Sequence, residues 1–141
     1  MDAKISQVTL VVTNQAGSLT FYLEKVGFEK KTDVATPGGY RWVTVGPKGQ
    51  DLELALWEVG SATDPEQKAW SKNWAPARAP PIVLRVSDCR KTYEELSSRG
   101  VEFPQVPKEY PWGIAATFRD PDGNLFSLSQ PPAWQPPKEA R

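Results

Sequence analysis

The chain has 141 residues, the length of a single domain, with 17 acidic and 17 basic side chains and no histidine. Balanced charge leaves no basic field to attract nucleic acid or anionic lipid, and no apolar run approaches the ~20 residues of a membrane span. The lack of histidine excludes imidazole-dependent catalytic triads and metal sites. The single cysteine, Cys89, excludes an internal disulfide. We therefore predict a cytoplasmic protein that contacts neither nucleic acid nor membrane.

The first 58 residues predict the order strand, helix and three strands. Residues 7–12 alternate and are rich in β-branched side chains, as in a half-buried strand. Asn14 is a natural N-cap, and Gly27 supplies a left-handed helix stop. The apolar residues between them, which share one helical face, are Leu19, Tyr22, Leu23 and Val26. The three following strands are predicted at 28–34, 40–45 and 51–58.

The same order recurs in residues 81–130. A strand at 82–86 is followed by Asp88 as a cap and Gly100 as a stop, and then by strands at 101–103, 113–118 and 125–129. Asp88 lies 74 residues after Asn14, and Gly100 lies 73 residues after Gly27. Because caps, helices and strands repeat in one register, the sequence predicts a duplication with βαβββ module one at 1–58 and module two at 81–130.

Two further segments lie outside these modules, one between them and one after the second. The linker at 59–80 contains Asp64 and Pro65, which mark the start of a short helix on which Trp70 and Trp74 share a face. The tail at 131–141 is rich in proline and is predicted to be extended or disordered.

Residues 4–130 resemble the vicinal-oxygen-chelate superfamily, which includes glyoxalases, bleomycin resistance proteins and dioxygenases. The segments that carry the resemblance are Phe21-Tyr22, Val26-Gly27-Phe28, Gly39-Tyr40-Arg41-Trp42-Val43-Thr44-Val45, Gly100-Val101-Glu102-Phe103 and Phe118-Arg119-Asp120-Pro121-Asp122-Gly123-Asn124-Leu125. The resemblance implies one α+β domain, in which two βαβββ modules form an open barrel-like mixed sheet around a cavity, with the helices outside. It also implies a homodimer, of side-by-side or module-exchanged arrangement.

Metal-binding members place four ligands on the first and last strands of the two modules. The corresponding positions are Gln7, Glu53, Pro81 and Ser127. Proline has no side-chain donor, and a neutral hydroxyl is a poor ligand for a transition metal. We therefore expect no cofactor, with a weak divalent metal at Gln7 and Glu53 kept as an alternative.

Strand alternation predicts which side chains face the cavity. If Gln7 and Glu53 point inward, the other inward-facing residues that we predict to bind a ligand are Tyr40, Trp42, Trp57, Arg85 and Ser127, with Trp112 at the rim. This mixture suits a small, flat, partly aromatic molecule. Each residue also has a structural alternative: the tryptophans can fill the core, and Glu53 and Arg85 can form a buried ion pair.

Three functions are compatible with these residues. A metal-free binding protein, similar to the antibiotic-sequestering members of the superfamily, needs a cavity but neither base nor metal. A lyase or isomerase would use Glu53 as base and Arg85 to stabilise an anion. A protein-interaction domain would have the cavity collapsed. We favour the first, and the identity of the ligand does not follow from the sequence.

Overall fold

A computed structural model describes residues 1–37 and 40–132. Its elements, in chain order, are β1 (Gln7–Val12), α1 (Gln15–Thr20) continuing as a π-helical segment (Phe21–Val26), β2 (Glu29–Ala35), β3 (Arg41–Gly46), β4 (Glu53–Glu58), α2 (Pro65–Ser71), β5 (Ile82–Arg85), α3 (Cys89–Ser98), β6 (Glu102–Tyr110), β7 (Gly113–Arg119) and β8 (Leu125–Gln130). The predicted order of two βαβββ modules is confirmed.

The eight strands form two mixed four-stranded sheets with the same topology. The order is β1-β4-β3-β2 in module one and β5-β8-β7-β6 in module two. In each sheet the first strand pairs in parallel with the last, and the remaining pairs are antiparallel. The strands do not close into a barrel, and among the described residues β1 and β5 are edge strands.

The predicted helix boundaries are confirmed by hydrogen bonds at the caps. The side chain of Asn14 accepts from the backbone N–H of Gly17, and that of Asp88 accepts from Lys91. Gly27 and Gly100 have φ values of 87° and 88°, in the left-handed region expected of a helix stop. In the linker, Asp64 caps α2, but α2 ends at Ser71, so the prediction that Trp74 lies on this helix was wrong.

Strand β6 is much longer than the predicted strand at 101–103. It continues to Tyr110 through Pro104 and Pro107, which ordinarily interrupt a strand. Because β6 is an edge strand, a proline without an N–H does not break a ladder on both sides. The register between β6 and β7 is irregular on either side of Gln105, which is how the sheet accommodates these residues.

One hydrophobic core connects both modules. Leu10, Val12, Val43, Val45, Leu54 and Leu56 of module one belong to the same buried cluster as Leu96, Phe118, Phe126 and Leu128 of module two. The assignment of these strand residues to the core face is therefore confirmed. The exception is Val8, which was expected to face the helix but is 37% exposed. No helix of the described chain is long and apolar enough to cross a membrane.

Candidate functional site

The core occupies one face of the module-one sheet, and the opposite face carries the predicted site residues. We call this opposite face the ligand face; its members on β1, β3 and β4 are Gln7, Thr9, Val11, Trp42, Thr44, Glu53, Ala55 and Trp57. Gln7 lies directly beside Glu53 in the register of the parallel pair β1 and β4. Gln7 is exposed, whereas Glu53 is half-buried. Strand alternation thus brings these two predicted positions together.

Two threonine hydroxyls hold the carboxylate of Glu53. Thr32 on β2 donates to Glu53 Oε1 at 2.9 Å, and Thr44 on β3 donates to the same oxygen. Thr44 is fully buried, so its hydroxyl is a fixed donor. Sequence reasoning missed Thr32. It reaches this face beside Thr44 through a register shift between Lys30 and Thr32, and alternation along β2 alone does not reveal such a shift.

At the other end of the ligand face, five aromatic rings form a continuous chain of contacts, which we call the aromatic cluster. Its members are Trp42, Tyr40, Trp57, Trp74 and Trp70. The centroids of successive rings are 6.0, 5.3, 5.5 and 5.2 Å apart. These separations lie within the range of favourable ring–ring interactions. Tyr40 and Trp57 are thus brought into contact by the fold, and the linker places Trp74 against Trp57.

Exposure varies strongly across the aromatic cluster. Trp57 is only 7% exposed, whereas Trp74 and Trp70 are 37% and 56% exposed. Burial raises the pKa of Tyr40, so its hydroxyl stays protonated and serves as a neutral hydrogen-bonding group. The aromatic cluster is therefore buried at Trp57 and exposed at Trp74 and Trp70, whose apolar rings lie at the protein surface.

A pocket of about 400 Å³ adjoins the aromatic cluster on the side of Trp74. Its walls include Thr9 and Val11 of the ligand face, together with Arg78 and Asn124. The side chain of Asn124 accepts from the backbone N–H of Ala77 at 2.9 Å and so fixes the linker against module two. The pocket is large enough for a small organic molecule beside the exposed ring of Trp74.

The predicted site residues of module two lie apart from those of module one. Arg85 and Pro81 are exposed, and Ser127 is half-buried on β8. Trp112 is 63% exposed in the turn between β6 and β7, where it stacks on Tyr110 at 4.7 Å. In the described part of the chain, no hydrogen bond or ion pair joins Arg85 or Ser127 to the ligand face of module one.

The expected alternative of a Glu53–Arg85 ion pair does not form within a single chain. Within the described residues, 1–37 and 40–132, the salt bridges involve neither Glu53 nor Arg85. Nor do these residues contain a group of three or more His, Cys, Asp or Glu side chains placed to hold a metal ion. Cys89 is buried, and burial raises the pKa of its thiol, which fits a packing role. The predicted proline-rich tail, which contains Trp134, lies outside the described residues from residue 133 onward.

The duplicated βαβββ fold agrees with the family that the sequence motifs resemble. Residues 4–128 match the model of the Glyoxalase/Bleomycin resistance protein/Dioxygenase superfamily. The chain belongs to this superfamily, as its sequence motifs predicted.

Three relatives illustrate the similarity. The crystal structure of UcmS2 is 41% identical, with a TM-score of 0.77, and the match covers 92% of this chain and 98% of UcmS2. TnmS3, an antibiotic binding protein from Streptomyces sp. CB03234, is 33% identical, with a TM-score of 0.74, over 92% of this chain and 96% of TnmS3. YetH of Bacillus subtilis (strain 168) is 32% identical over 92% of this chain and 100% of its own length.

Proposed function

We propose that this protein binds and sequesters a small, flat, partly aromatic molecule against the ligand face of module one. The aromatic cluster is the observation that carries the proposal. Clustered tryptophans that are exposed beside a pocket are unusual on the surface of a soluble protein unless a ligand or partner covers them. Their flat rings offer a ligand a stacking surface with little loss of side-chain freedom. The 33% identity to TnmS3, an antibiotic binding protein, supports a role in binding a small molecule.

The site is proposed to work without a resident metal. Pro81 brings no donor atom, Ser127 brings only a neutral hydroxyl, and one oxygen of Glu53 already accepts from two threonines. These residues do not fit the four-ligand site of metal-binding relatives. Elemental analysis of protein purified without chelator tests this directly, and one equivalent of zinc, nickel or iron per chain would overturn it.

The lyase or isomerase hypothesis would use Glu53 as a base. The hydroxyls of Thr32 and Thr44 instead donate hydrogen bonds to one carboxylate oxygen and hold the carboxylate in place as an acceptor. This arrangement favours an anchoring role over proton transfer. No observation on the described residues favours catalysis, so binding is the function proposed here.

We also propose that the protein is a homodimer. β1 and β5 are edge strands of their sheets, and Val8 and Val83, one on each of them, are 37% and 65% exposed. Exposed apolar edges favour pairing with another strand. A second copy is also one way to bring Arg85, Ser127 and Trp112 to a shared ligand. Light scattering coupled to gel filtration distinguishes a dimer from a monomer.

Titration calorimetry with polycyclic aromatic natural products tests the proposed binding. Trp42→Ala removes a half-buried ring of the aromatic cluster and should weaken binding at least about tenfold, because stacking against one aromatic side chain is worth about 1 kcal/mol or more beyond the apolar area that it buries. Trp112→Ala removes an exposed indole from module two and should have the smaller effect. An equal or larger loss with Trp112→Ala would move the site to module two, and unchanged binding in both variants would refute the aromatic site.

A further inference from the structure

The carboxylate of Glu53 is only partly satisfied by the protein. Thr32 and Thr44 both donate to Oε1. Among the described residues, no hydrogen bond reaches Oε2. Oε2 is accessible to solvent, so a donor on a ligand can replace water there and form a charge-assisted hydrogen bond.

The cations of the neighbouring strands are paired with other acids. Asp33 accepts from Lys30 at 2.9 Å and from Arg41 at 2.7 Å, and these partners, Arg41 first, hold the pKa of Asp33 well below its usual range. Lys31 lies 2.8 Å from Glu29. So far as the chain is described, the charge of Glu53 is therefore not neutralised by a lysine or arginine.

The unneutralised carboxylate and the aromatic cluster share one sheet face. Glu53, Ala55 and Trp57 alternate on β4, so the extended chain separates Glu53 from Trp57 by about 13 Å. Ala55, which lies between them, is buried and carries only a methyl group. On the adjacent strand, Thr44 lies opposite Ala55, and Trp42 lies two residues away on the same face. The face thus has a negative end and an aromatic end.

We propose that the ligand of this face is a planar aromatic cation, with a positively charged N–H group on Glu53 and its rings on the aromatic cluster. This inference rests on the proposed binding function and adds the charge and orientation of the ligand. The charged N–H group would donate to Oε2, while the threonines keep Oε1 fixed. Indole and phenol faces attract cations as well, so a delocalised positive charge gains at both ends.

Three tricyclic probes of nearly equal shape test the charge. 9-Aminoacridine is a cation at neutral pH, acridone is uncharged and anthracene-9-carboxylate is an anion. Titration calorimetry should give the order cation, neutral, anion, with the cation at least about tenfold tighter than acridone, because a charge-assisted hydrogen bond is worth about 1.5–3 kcal/mol. Added salt should reduce this preference.

Glu53→Gln and Asp51→Asn form a matched pair. Both remove one negative charge near the same strand, but Asp51 has a side chain 95% exposed and only a distant contact to Lys4. Glu53→Gln should abolish the preference for 9-aminoacridine over acridone, measured as the ratio of the two dissociation constants in the same variant. Asp51→Asn should leave the preference intact.

The outcomes separate the two proposals. If 9-aminoacridine and acridone bind equally, if the anion binds best, or if the preference survives in Glu53→Gln, the cation inference is wrong while aromatic binding stands. If none of the three probes binds, aromatic binding itself fails and the inference fails with it. Thermal unfolding of each variant identifies any loss that reflects misfolding, and Glu53→Asp then tests the charge with the carboxylate retained.

Discussion

The hydroxyl of Tyr22 donates a 2.7 Å hydrogen bond to Asp120, which lies 98 residues away in the other module. Tyr22 is fully buried and Asp120 is 3% exposed. Asp120 also accepts from the side chain of Asn124 at 2.9 Å, and Asn124 donates in turn to the carbonyl of Val11. A polar network inside an apolar core therefore fixes the tight turn before β8 against the first strand and helix of the chain. The position of the linker, which is bonded to Asn124, depends on it.

Removing the Tyr22 hydroxyl should lower the stability of the whole fold. Tyr22→Phe leaves a buried carboxylate oxygen with one donor fewer, and we expect the free energy of unfolding to fall by about 1–3 kcal/mol. Tyr93→Phe deletes the same group from a half-buried ring on α3 and should cost less than about 0.5 kcal/mol. Urea unfolding of both variants measures the difference. Equal losses would show that the Tyr22–Asp120 bond contributes nothing specific.

Because the Tyr22 hydroxyl is buried, we expect the free energy of unfolding to fall at alkaline pH. Burial, and then the charge of Asp120, raise the pKa of Tyr22 far above its ordinary value of 10.0. Above about pH 10 the unfolded chain releases this proton while the folded chain keeps it, so stability falls by up to about 1.4 kcal/mol per pH unit. Below that pH the contribution is fully present. The advantage of wild type over Tyr22→Phe should therefore shrink between about pH 9 and pH 11, and a constant difference would contradict the assignment.

Much of the fold could be predicted because its signals are local. Asn14, Asp64 and Asp88 cap their helices through side chains that reach only three residues along the chain, and such bonds depend on little else. Alternation along β4 likewise predicted that Trp57 and Glu53 share a face, because the core residues between them leave only one orientation. These parts of the structure follow from spacing alone.

The remainder depends on contacts that spacing does not encode. Thr32 became a partner of Glu53 through a register shift, and β6 passed through Pro104 and Pro107 because it lies at a sheet edge. The separation of Arg85 from Glu53 depends on how the two modules pack. Each of these features is a choice between arrangements of similar local energy, which tertiary packing decides.

Glu58 and Gln130 are the last residues of β4 and β8, and each caps the helix of its own module. A side-chain oxygen of Glu58 accepts from the N–H of Gln15 at 2.8 Å, and one of Gln130 accepts from Cys89 at 2.9 Å. A carboxylate interacts more favourably than an amide with a helix N-terminus. Gln130→Glu should therefore raise the free energy of unfolding by about 0.3–1 kcal/mol at neutral pH.

Acid provides the check on this substitution. Below the ordinary glutamate pKa the new side chain becomes neutral. The difference in free energy of unfolding between Gln130→Glu and wild type should therefore disappear in acid. Gln130→Ala removes the cap altogether and should cost about 1 kcal/mol. A loss of stability in Gln130→Glu at neutral pH would mean that burying the charge at this half-buried position outweighs its attraction to the helix.

Gly113 is the position at which a single added carbon should do the most damage. Its φ of 133° lies in the region reserved for glycine, and a Cβ there would lie 2.1 Å from the carbonyl oxygen of Gln130. That contact is with backbone of the neighbouring strand, so relief requires β7 and β8 to separate at this end. Gly113→Ala should cost about 3 kcal/mol or more. Gly49→Ala is the control, since Gly49 also has a positive φ of 79° but nothing within 4 Å of a Cβ, and it should cost only about 1–2 kcal/mol. Chemical unfolding of both variants compares the two losses, and similar values would show that backbone conformation alone, without the close approach to Gln130, explains the glycine.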